Sequence, residues 1–276
     1  MEQPDLNTWT LPLWPTACLL AGGLLYLRGW GRIRFTRQQL FPAWRAACFL
    51  GGLVSLWLAM ASPVDSLDDV LLAAHMTQHL ILMSIAPPLL LLGAPAVPLL
   101  RVLPRFIVGP VVRNVTLRSV FHQLTRPMVA WLAMNVTYLV WHTPGAYELA
   151  LASPGWHQAE HLCFFSTSLL FWFPVIQPRP SAPRGSRWVM LPYLVGADLV
   201  NTGFSAFLTF AGRVIYPSYA AAPRVLGISA LADQAAAGAL MWVIGSICYL
   251  IPLAVIAFRL LSPQKMYRPI GVFGMD

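Results

Sequence analysis

Long apolar runs separated by short polar stretches limit this chain to one kind of fold. Only 10% of its 276 residues are charged, against about 25% in an average soluble domain, and 58% are hydrophobic. A soluble fold of this size could not bury so much apolar surface, whereas a transmembrane helix needs about 20 mostly apolar residues. We predict an all-α polytopic membrane protein, a single domain over residues 1–276, with seven transmembrane helices at about 11–27, 41–61, 70–93, 127–142, 157–176, 188–210 and 231–261.

The distribution of basic residues predicts how these helices are oriented. Cytoplasmic loops of membrane proteins carry an excess of Lys and Arg, and here these residues form blocks between alternate apolar runs. With the N-terminus outside and the C-terminus inside, sixteen of the eighteen Lys and Arg residues lie on the inner side, the exceptions being Arg213 and Arg224. The net charge of +8 is therefore explained by topology and does not indicate nucleic-acid binding.

Two connecting segments and one polar pair carry further predictions. Segment 94–126 contains five arginines among apolar residues, which favours an amphipathic helix on the inner leaflet. Segment 211–230 is an outer loop rich in Pro and Tyr, which we interpret as a lid or a docking surface. Asp198 and Asn201 lie near the middle of the sixth run, where a carboxylate is costly enough to indicate either a hydrogen-bonded anchor or part of an ion path.

Five of the six histidines fall near the outer ends of the predicted spans. His75 and His79 are four residues apart and share one helix face, and His157 and His161 repeat that spacing. His142 ends the fourth run. At 1.5 Å per residue all five lie within about 15 Å of the outer surface, and imidazoles inside a membrane mark function by default. We predict that these five histidines are the ligands of a metal site.

Other residues at the same depth are candidates for additional ligands or for supporting roles. Met83 follows His79 by four residues, so its thioether continues the same helix face. Acidic residues near the cluster would compensate the charge of an ion or accept hydrogen bonds from ligand imidazoles. The candidates are Met83, Met241, Glu160, Asp233 and Gln234.

The residue types favour copper over other metals. Imidazole nitrogen suits copper, zinc, iron and nickel, and thioether sulfur in the same layer favours Cu(I). Two alternatives stay open. A bis-histidine haem b electron carrier would take one axial ligand from each of two spans. An intramembrane zinc hydrolase is indicated by His157-Gln158-Ala159-Glu160-His161, which matches the H-x-x-E-H pattern but leaves the other histidine pair without a role.

Four blocks of residues, taken in chain order, resemble the seven-helix cytochrome c oxidase assembly factor CtaG family. This is the polytopic type and not the single-span copper chaperone of the same name. The blocks are His75 to His79 with Ala86-Pro87-Pro88, Trp141 to Pro144 with Tyr147, His157 to His161 with Phe164-Phe165, and Asp233-Gln234 with Gly238 and Met241-Trp242. Together they span about residues 65–250.

The resemblance implies a multi-pass protein of the bacterial plasma membrane that is not an enzyme. Such a protein assists the maturation of a haem–copper cytochrome c oxidase. We expect it to bind one or two copper ions near the periplasmic face and to hand them to the oxidase. The expected partners are an oxidase subunit as client, the copper ion, the lipid bilayer and a periplasmic copper donor.

Overall fold

The computed structural model describes residues 9–35, 38–178, 186–224 and 227–262, and within these ranges every regular element is helical. The all-α class is therefore confirmed for the described part of the chain. The chain also forms a π-helical turn at Ile81–Ile85 and a 3-10 turn at Arg187–Val189. The helices are α1 (Leu13–Arg34), α2 (Ala43–Ala61), α3 (Pro63–Ser66), α4 (Leu72–Leu80), α5 (Ala86–Leu92), α6 (Ala96–Val102), α7 (Arg105–Arg113), α8 (Val115–Leu124), α9 (Pro127–Trp141), α10 (Pro144–Ala152), α11 (Pro154–Ile176), α12 (Met190–Phe210), α13 (Pro217–Ala221) and α14 (Ala230–Leu261).

Long apolar helices make this chain a membrane protein. Helices α1 and α12 expose large apolar side chains, among them Trp14, which is 83% exposed, and Phe210, which is 76% exposed. Apolar surface of this extent is stable against lipid and not against water. The number of seven spans and the orientation of the two ends stay predictions. Among the described residues, four helical stretches are long and apolar enough to cross a bilayer, namely Ala43–Ser66, Leu72–Leu92, Pro154–Ile176 and Ala230–Leu261.

The span Leu72–Leu92 is not a uniform α-helix, because it contains the π turn at Ile81–Ile85. Pro87 has no N–H to donate to the carbonyl of Met83, four residues earlier. The indole Nε1–H of Trp172 donates to that carbonyl instead, at 2.9 Å. A proline inside the span thus frees a backbone acceptor, and a side chain of α11 uses it to hold α11 against this span.

Two connecting segments differ from the elements predicted for them. Segment 94–126 forms the three short helices α6 to α8 instead of one. Pro104 follows an extended Leu103, and Asn114 caps α8 by accepting a hydrogen bond from the first turn at 2.9 Å. Segment 211–230 contains the short helix α13. The predicted inner basic residues Arg37, Arg179, Arg184, Lys265 and Arg268 lie outside the described residues, as do both ends of the predicted domain, 1–8 and 263–276.

Polar side chains join α12 to α14 inside the apolar bundle. Ser246 donates to Asp198 Oδ1 at 2.7 Å, and Asn201 Nδ2 donates to the carbonyl of Met241 at 3.2 Å. Hydrogen bonds between helices contribute to the association of membrane helices. In this structure Asp198 and Asn201 therefore act as anchors between two helices.

The N-terminus of α4 is held by α14. Asp233, in the first turn of α14, accepts hydrogen bonds from the backbone N–H groups of Leu72 at 2.7 Å and Ala73 at 3.1 Å. A carboxylate at this position satisfies two N–H groups that a helix start leaves without intrahelical partners, and it opposes the positive end of the helix dipole. This contact sets the depth and rotation of the helix face that carries His75 and His79.

Replacing Gly238 by alanine should separate α14 from α12. An added Cβ would lie 2.7 Å from the backbone nitrogen of Thr209 and 2.8 Å from the carbonyl oxygen of Ser205. We expect the free energy of unfolding to fall by about 1–3 kcal/mol, the usual cost of overpacking, in thermal unfolding of the detergent-purified protein. Gly203→Ala is the matched control, since nothing lies within 4 Å of its added Cβ. Equal stability of the two variants would contradict the close packing at Gly238.

Candidate metal centre

Five histidine rings converge between α4, α9 and α11. His75 and His79 project from α4, His157 and His161 from α11, and His142 directly follows α9. The structure thus brings all five predicted ligands into one cluster. The ring centroids are 4.4 Å apart for His75–His79, 4.1 Å for His157–His161, 5.0 Å for His75–His157, 5.5 Å for His79–His161 and 5.4 Å for His79–His142.

Glu160 is the carboxylate at the centre of this cluster. Its side chain is fully buried, with Oε2 at 3.5 Å from His75 Nε2 and Oε1 at 3.5 Å from His79 Nε2. The ligand atoms of His75, His79, Glu160 and His161 all lie within 4.8 Å of one another. We call this four-residue group the inner site.

A second group of ligand atoms lies beside the inner site and shares His75 with it. The ligand atoms of Asp68, His75 and His157 also lie within 4.8 Å of one another. His157 Nε2 is 3.7 Å from Asp68 Oδ2, and the His157 side chain is 22% exposed. We call this three-residue group the outer site.

The distances in both groups fit a shared cation better than direct hydrogen bonds. The nitrogen–oxygen separations of 3.5 to 3.7 Å exceed the range of about 2.7–3.2 Å for N–H···O bonds. Two ligands of one tetrahedral ion, with bonds of about 2.0–2.1 Å, lie about 3.4 Å apart. Buried polar atoms are nearly always paired, so a concentration of unpaired ones indicates a cation-binding site. Among the described residues, the buried cluster atoms without a hydrogen-bond partner are His75 Nε2, His79 Nδ1 and Nε2, His142 Nε2, His157 Nε2, His161 Nε2 and both carboxylate oxygens of Glu160.

Hydrogen bonds on the far side of two rings leave their Nε2 lone pairs for a metal. His142 Nδ1 lies 2.7 Å from the carbonyl oxygen of Tyr138, so Nδ1 carries the proton and donates it. His75 Nδ1 lies 3.3 Å from the hydroxyl of Tyr219, which donates its own proton to the carbonyl of Asp68 at 2.5 Å. His75 Nδ1–H is therefore the donor to Tyr219. Such partners fix the tautomer and orientation of ligand imidazoles.

Residues 211–222, which we call the cover, pack over the histidine cluster. Tyr216 and Tyr219 of the cover are both buried. Tyr147 stacks on Tyr216 with ring centroids 4.1 Å apart, and Tyr216 donates to the carbonyl of His142 at 2.9 Å. The predicted loop is thus ordered against the site by aromatic side chains.

Two polar side chains fasten the cover to the bundle. Glu148 accepts hydrogen bonds from the backbone N–H of Ser218, at 3.1 Å, and from its hydroxyl. Gln234 accepts from the N–H of Ile215 at 2.7 Å and donates to the carbonyl of Arg213 at 3.0 Å. Gln234, a candidate for the metal site, therefore holds the cover.

The remaining candidates lie next to the cluster in different roles. Asp233 accepts from the backbone of α4 and so positions the helix that carries two of the histidines. Met83 and Met241 line a cavity of about 20 Å³, together with Met76 and His79. The thioethers therefore adjoin the inner site on the side of His79.

Asp68 and Tyr219 contact the cluster but are absent from the predicted site residues. Asp68 lies in the turn before α4, where burial and repulsion by Asp69 and Asp65 raise its pKa to about 8. A nearby cation would favour its ionised form. Its signal in the sequence is the group of three acids directly before an apolar run that contains histidines. Tyr219 is 144 residues from His75, and no local pattern marks it.

A known protein family covers nearly the whole chain. The profile of the cytochrome c oxidase caa3 assembly factor family matches residues 24–262. The chain belongs to this family. The resemblance to the CtaG family is thereby confirmed.

Curated relatives are much longer than the chain. It is 26% identical over 259 residues to uncharacterized proteins of Mycobacterium bovis and Mycobacterium tuberculosis, in alignments that cover 88% of this chain and 38% of each relative. An uncharacterized protein of Mycobacterium leprae is 24% identical over 237 residues, or 80% of this chain and 34% of the relative. The chain thus spans less than two fifths of the length of these relatives. No solved structure matches it.

Tyr219→Phe should weaken metal binding at the cluster without unfolding the protein. The change removes the hydroxyl that accepts from His75 Nδ1 but keeps the packed ring. Loss of such a partner typically costs about 10–100-fold in metal affinity, and we expect a loss of this size in copper titrations of the purified protein. Tyr193→Phe is the matched control, because its buried hydroxyl donates to the carbonyl of Phe171, at 2.9 Å. Equal affinities of the two variants would show that Tyr219 does not orient His75.

Proposed function

We propose that this protein binds copper in its histidine cluster and hands it to a haem–copper cytochrome c oxidase during assembly of that enzyme. His75, His79 and His161 hold the ion together with Glu160, and His142 and His157 flank it. The protein acts by binding and release and not by catalysis. Membership of the cytochrome c oxidase caa3 assembly factor family supports both the assembly role and an oxidase as partner.

The proposal depends on one observation, namely that the buried Glu160 carboxylate faces two imidazoles without hydrogen-bonding to either. Its side chain is fully buried, and its nearest charged or ionisable partners are two imidazoles at 3.5 Å. Burying a carboxylate among neutral groups is costly, and a metal ion coordinated by the carboxylate and the imidazoles offsets that cost. Both oxygens of Glu160 and the facing ring nitrogens of His75 and His79 have no hydrogen-bond partner among the described residues.

Thioethers beside the imidazoles support copper over zinc. Met76, Met83 and Met241 line the small cavity next to His79. Imidazole binds several first-row metals, whereas thioether sulfur selects Cu(I). The copper in this proposal is cargo, so a donor set that copper can leave again suits the role.

The proposed topology has seven spans, with the N-terminus outside and the C-terminus inside. Helices α1, α9 and α12 complete the set formed by the four most apolar stretches. The cluster lies near the starts of the span Leu72–Leu92 and of α11 and at the end of α9, so these three segments have ends on one side of the bundle. The basic blocks assign that side to the periplasm of a bacterial plasma membrane.

The proposed partners are an oxidase subunit as client and a periplasmic copper donor. A site near the periplasmic surface is within reach of both. Transfer requires movement of the cover, because Tyr216 and Tyr219 are buried over the cluster. The exposed face of the cover includes Arg213, and in this proposal contact with a partner triggers that movement.

The two alternative cofactors suit the geometry less well. A bis-histidine haem needs a broad flat space between two rings, whereas the cluster ring pairs in contact lie 4.1 to 6.0 Å apart and the cavity beside them measures about 20 Å³. A zinc hydrolase needs Glu160 as a general base near a bound water. Here Glu160 is placed between His75 and His79, which leaves it in the position of a ligand.

The double variant His79→Ala/His161→Ala should lose copper binding and keep its fold. Each change removes a ligand of the inner site, and the contacts of Trp172 and Asp233 that hold the helices together stay in place. We expect copper per chain, measured by elemental analysis of protein purified in detergent, to fall below about a tenth of the wild-type value, in line with the effect of losing metal-site groups. His122→Ala is the control, since His122 is exposed on α8. Full copper in the double variant would place the metal elsewhere, and a Soret band in the wild type would favour haem.

The same double variant should fail to support oxidase maturation. Membranes of cells that rely on it should contain oxidase subunits with a deficit of copper, because copper delivery is lost while the client is still synthesised. The measurement is oxidase activity and copper content of the isolated oxidase, with the His122→Ala strain beside it. Normal oxidase copper in the double-variant strain would separate the histidine cluster from assembly.

A further inference from the structure

The inner and outer sites share one ligand residue, His75. Tyr219 accepts from His75 Nδ1–H, so Nε2 is the ring nitrogen of His75 that has a lone pair available. Both groups of ligand atoms include His75. One lone pair can bind one ion at a time. The two sites are therefore alternative positions for the same ion.

Exposure increases from the inner site to the outer site. The side chain of Glu160 is 0% exposed and that of His79 is 2% exposed, whereas that of His157 is 22% exposed. His157 lies in the first turn of α11, and Asp68 lies in the turn before α4. The outer site is thus closer to the surface than the inner site, although His157 Nε2 is itself buried.

The charges near the outer site favour the arrival of a cation. The Asp68 carboxylate faces His157 at 3.7 Å, and Asp65 and Asp69 lie in the same short stretch of chain. Acidic groups at the entrance of a cleft raise the local concentration of cations. Asp69 is exposed, whereas Asp68 is buried against the cluster, so the two acids differ in their ability to bind an ion directly.

We infer that Asp68 and His157 form a capture site through which copper enters and leaves the inner site. The ion first binds Asp68, His157 and His75. It then moves inward while bound to His75, as its bonds to Asp68 and His157 break and bonds to His79, Glu160 and His161 form. Release follows the reverse order. This inference rests on the proposed copper-binding function and adds to it a route and a role for Asp68.

Stopped-flow measurement of copper exchange tests the route. Detergent-purified protein without metal is mixed with Cu(I) bound to the chelator bicinchoninate, and release is followed after adding excess chelator. Asp68→Asn should keep the wild-type copper content at equilibrium, because it leaves the inner site intact. It should slow uptake and release together, by about tenfold or more, as expected when a metal-site group is lost.

Asp69→Asn is the matched control for Asp68→Asn. It removes the same charge from the adjacent, exposed position. We expect it to slow exchange much less than Asp68→Asn does, because a charge near the entrance without a direct bond to the ion has a smaller effect. Equal slowing by both variants would assign the effect to the local field and overturn the capture site.

A second pair of variants keeps the test valid if Asp68→Asn does not fold. His157→Gln should slow exchange as Asp68→Asn does, and His122→Gln, on the exposed α8, should not. Two coppers bound at once to the wild type, with one lost in Asp68→Asn, would make the outer site a separate static site and overturn the route. If the wild type binds copper and both Asp68→Asn and His157→Gln exchange it at the wild-type rate, this inference alone is overturned. Wild-type protein that binds no copper would overturn the proposed function.

Discussion

The carboxylate of Glu160, buried among imidazoles, is the feature on which the centre of this protein depends. Its two oxygens lie 3.5 Å from ring nitrogens of His75 and His79, which belong to a different helix. This geometry requires α4 and α11 to keep one relative depth and rotation. Trp172 provides one restraint by donating to the carbonyl of Met83, and Asp233 provides another by capping α4. Contacts outside the cluster thus place its ligands.

A tyrosine of the cover connects the position of the cover to the tautomer of His75. Tyr219 lies in the cover, accepts from His75 Nδ1–H and donates to the carbonyl of Asp68. The closed cover therefore holds His75 in the tautomer that offers Nε2 to a metal. In the proposed copper-binding function, opening the cover would remove this partner and lower the affinity of the site as the ion becomes accessible. A protein that must retain an ion and later give it up benefits from such a link.

Much of the fold and part of the site follow from local patterns in the sequence. Apolar runs of about 20 residues predict membrane helices because each backbone group in lipid must be paired within its own segment. The spacing of four between His75 and His79, and between His157 and His161, places each pair on one helix face. Asp233 and Gln234 lie beside the cluster, but their hydrogen bonds go to the backbone of α4 and of the cover. Their identity was evident from the sequence and their partners were not.

Local sequence specified the class of the protein and the residue types of its centre, because hydropathy and helical spacing are properties of neighbouring residues. The packing of distant segments specified which of these residues meet. Tyr219 reaches a histidine 144 residues earlier in the chain, and Asp68 faces a histidine on another helix. The choice of Glu160 as the central carboxylate depends in the same way on how α4 and α11 are rotated against each other. That rotation is set by tertiary contacts, and no pattern within a single helix encodes it.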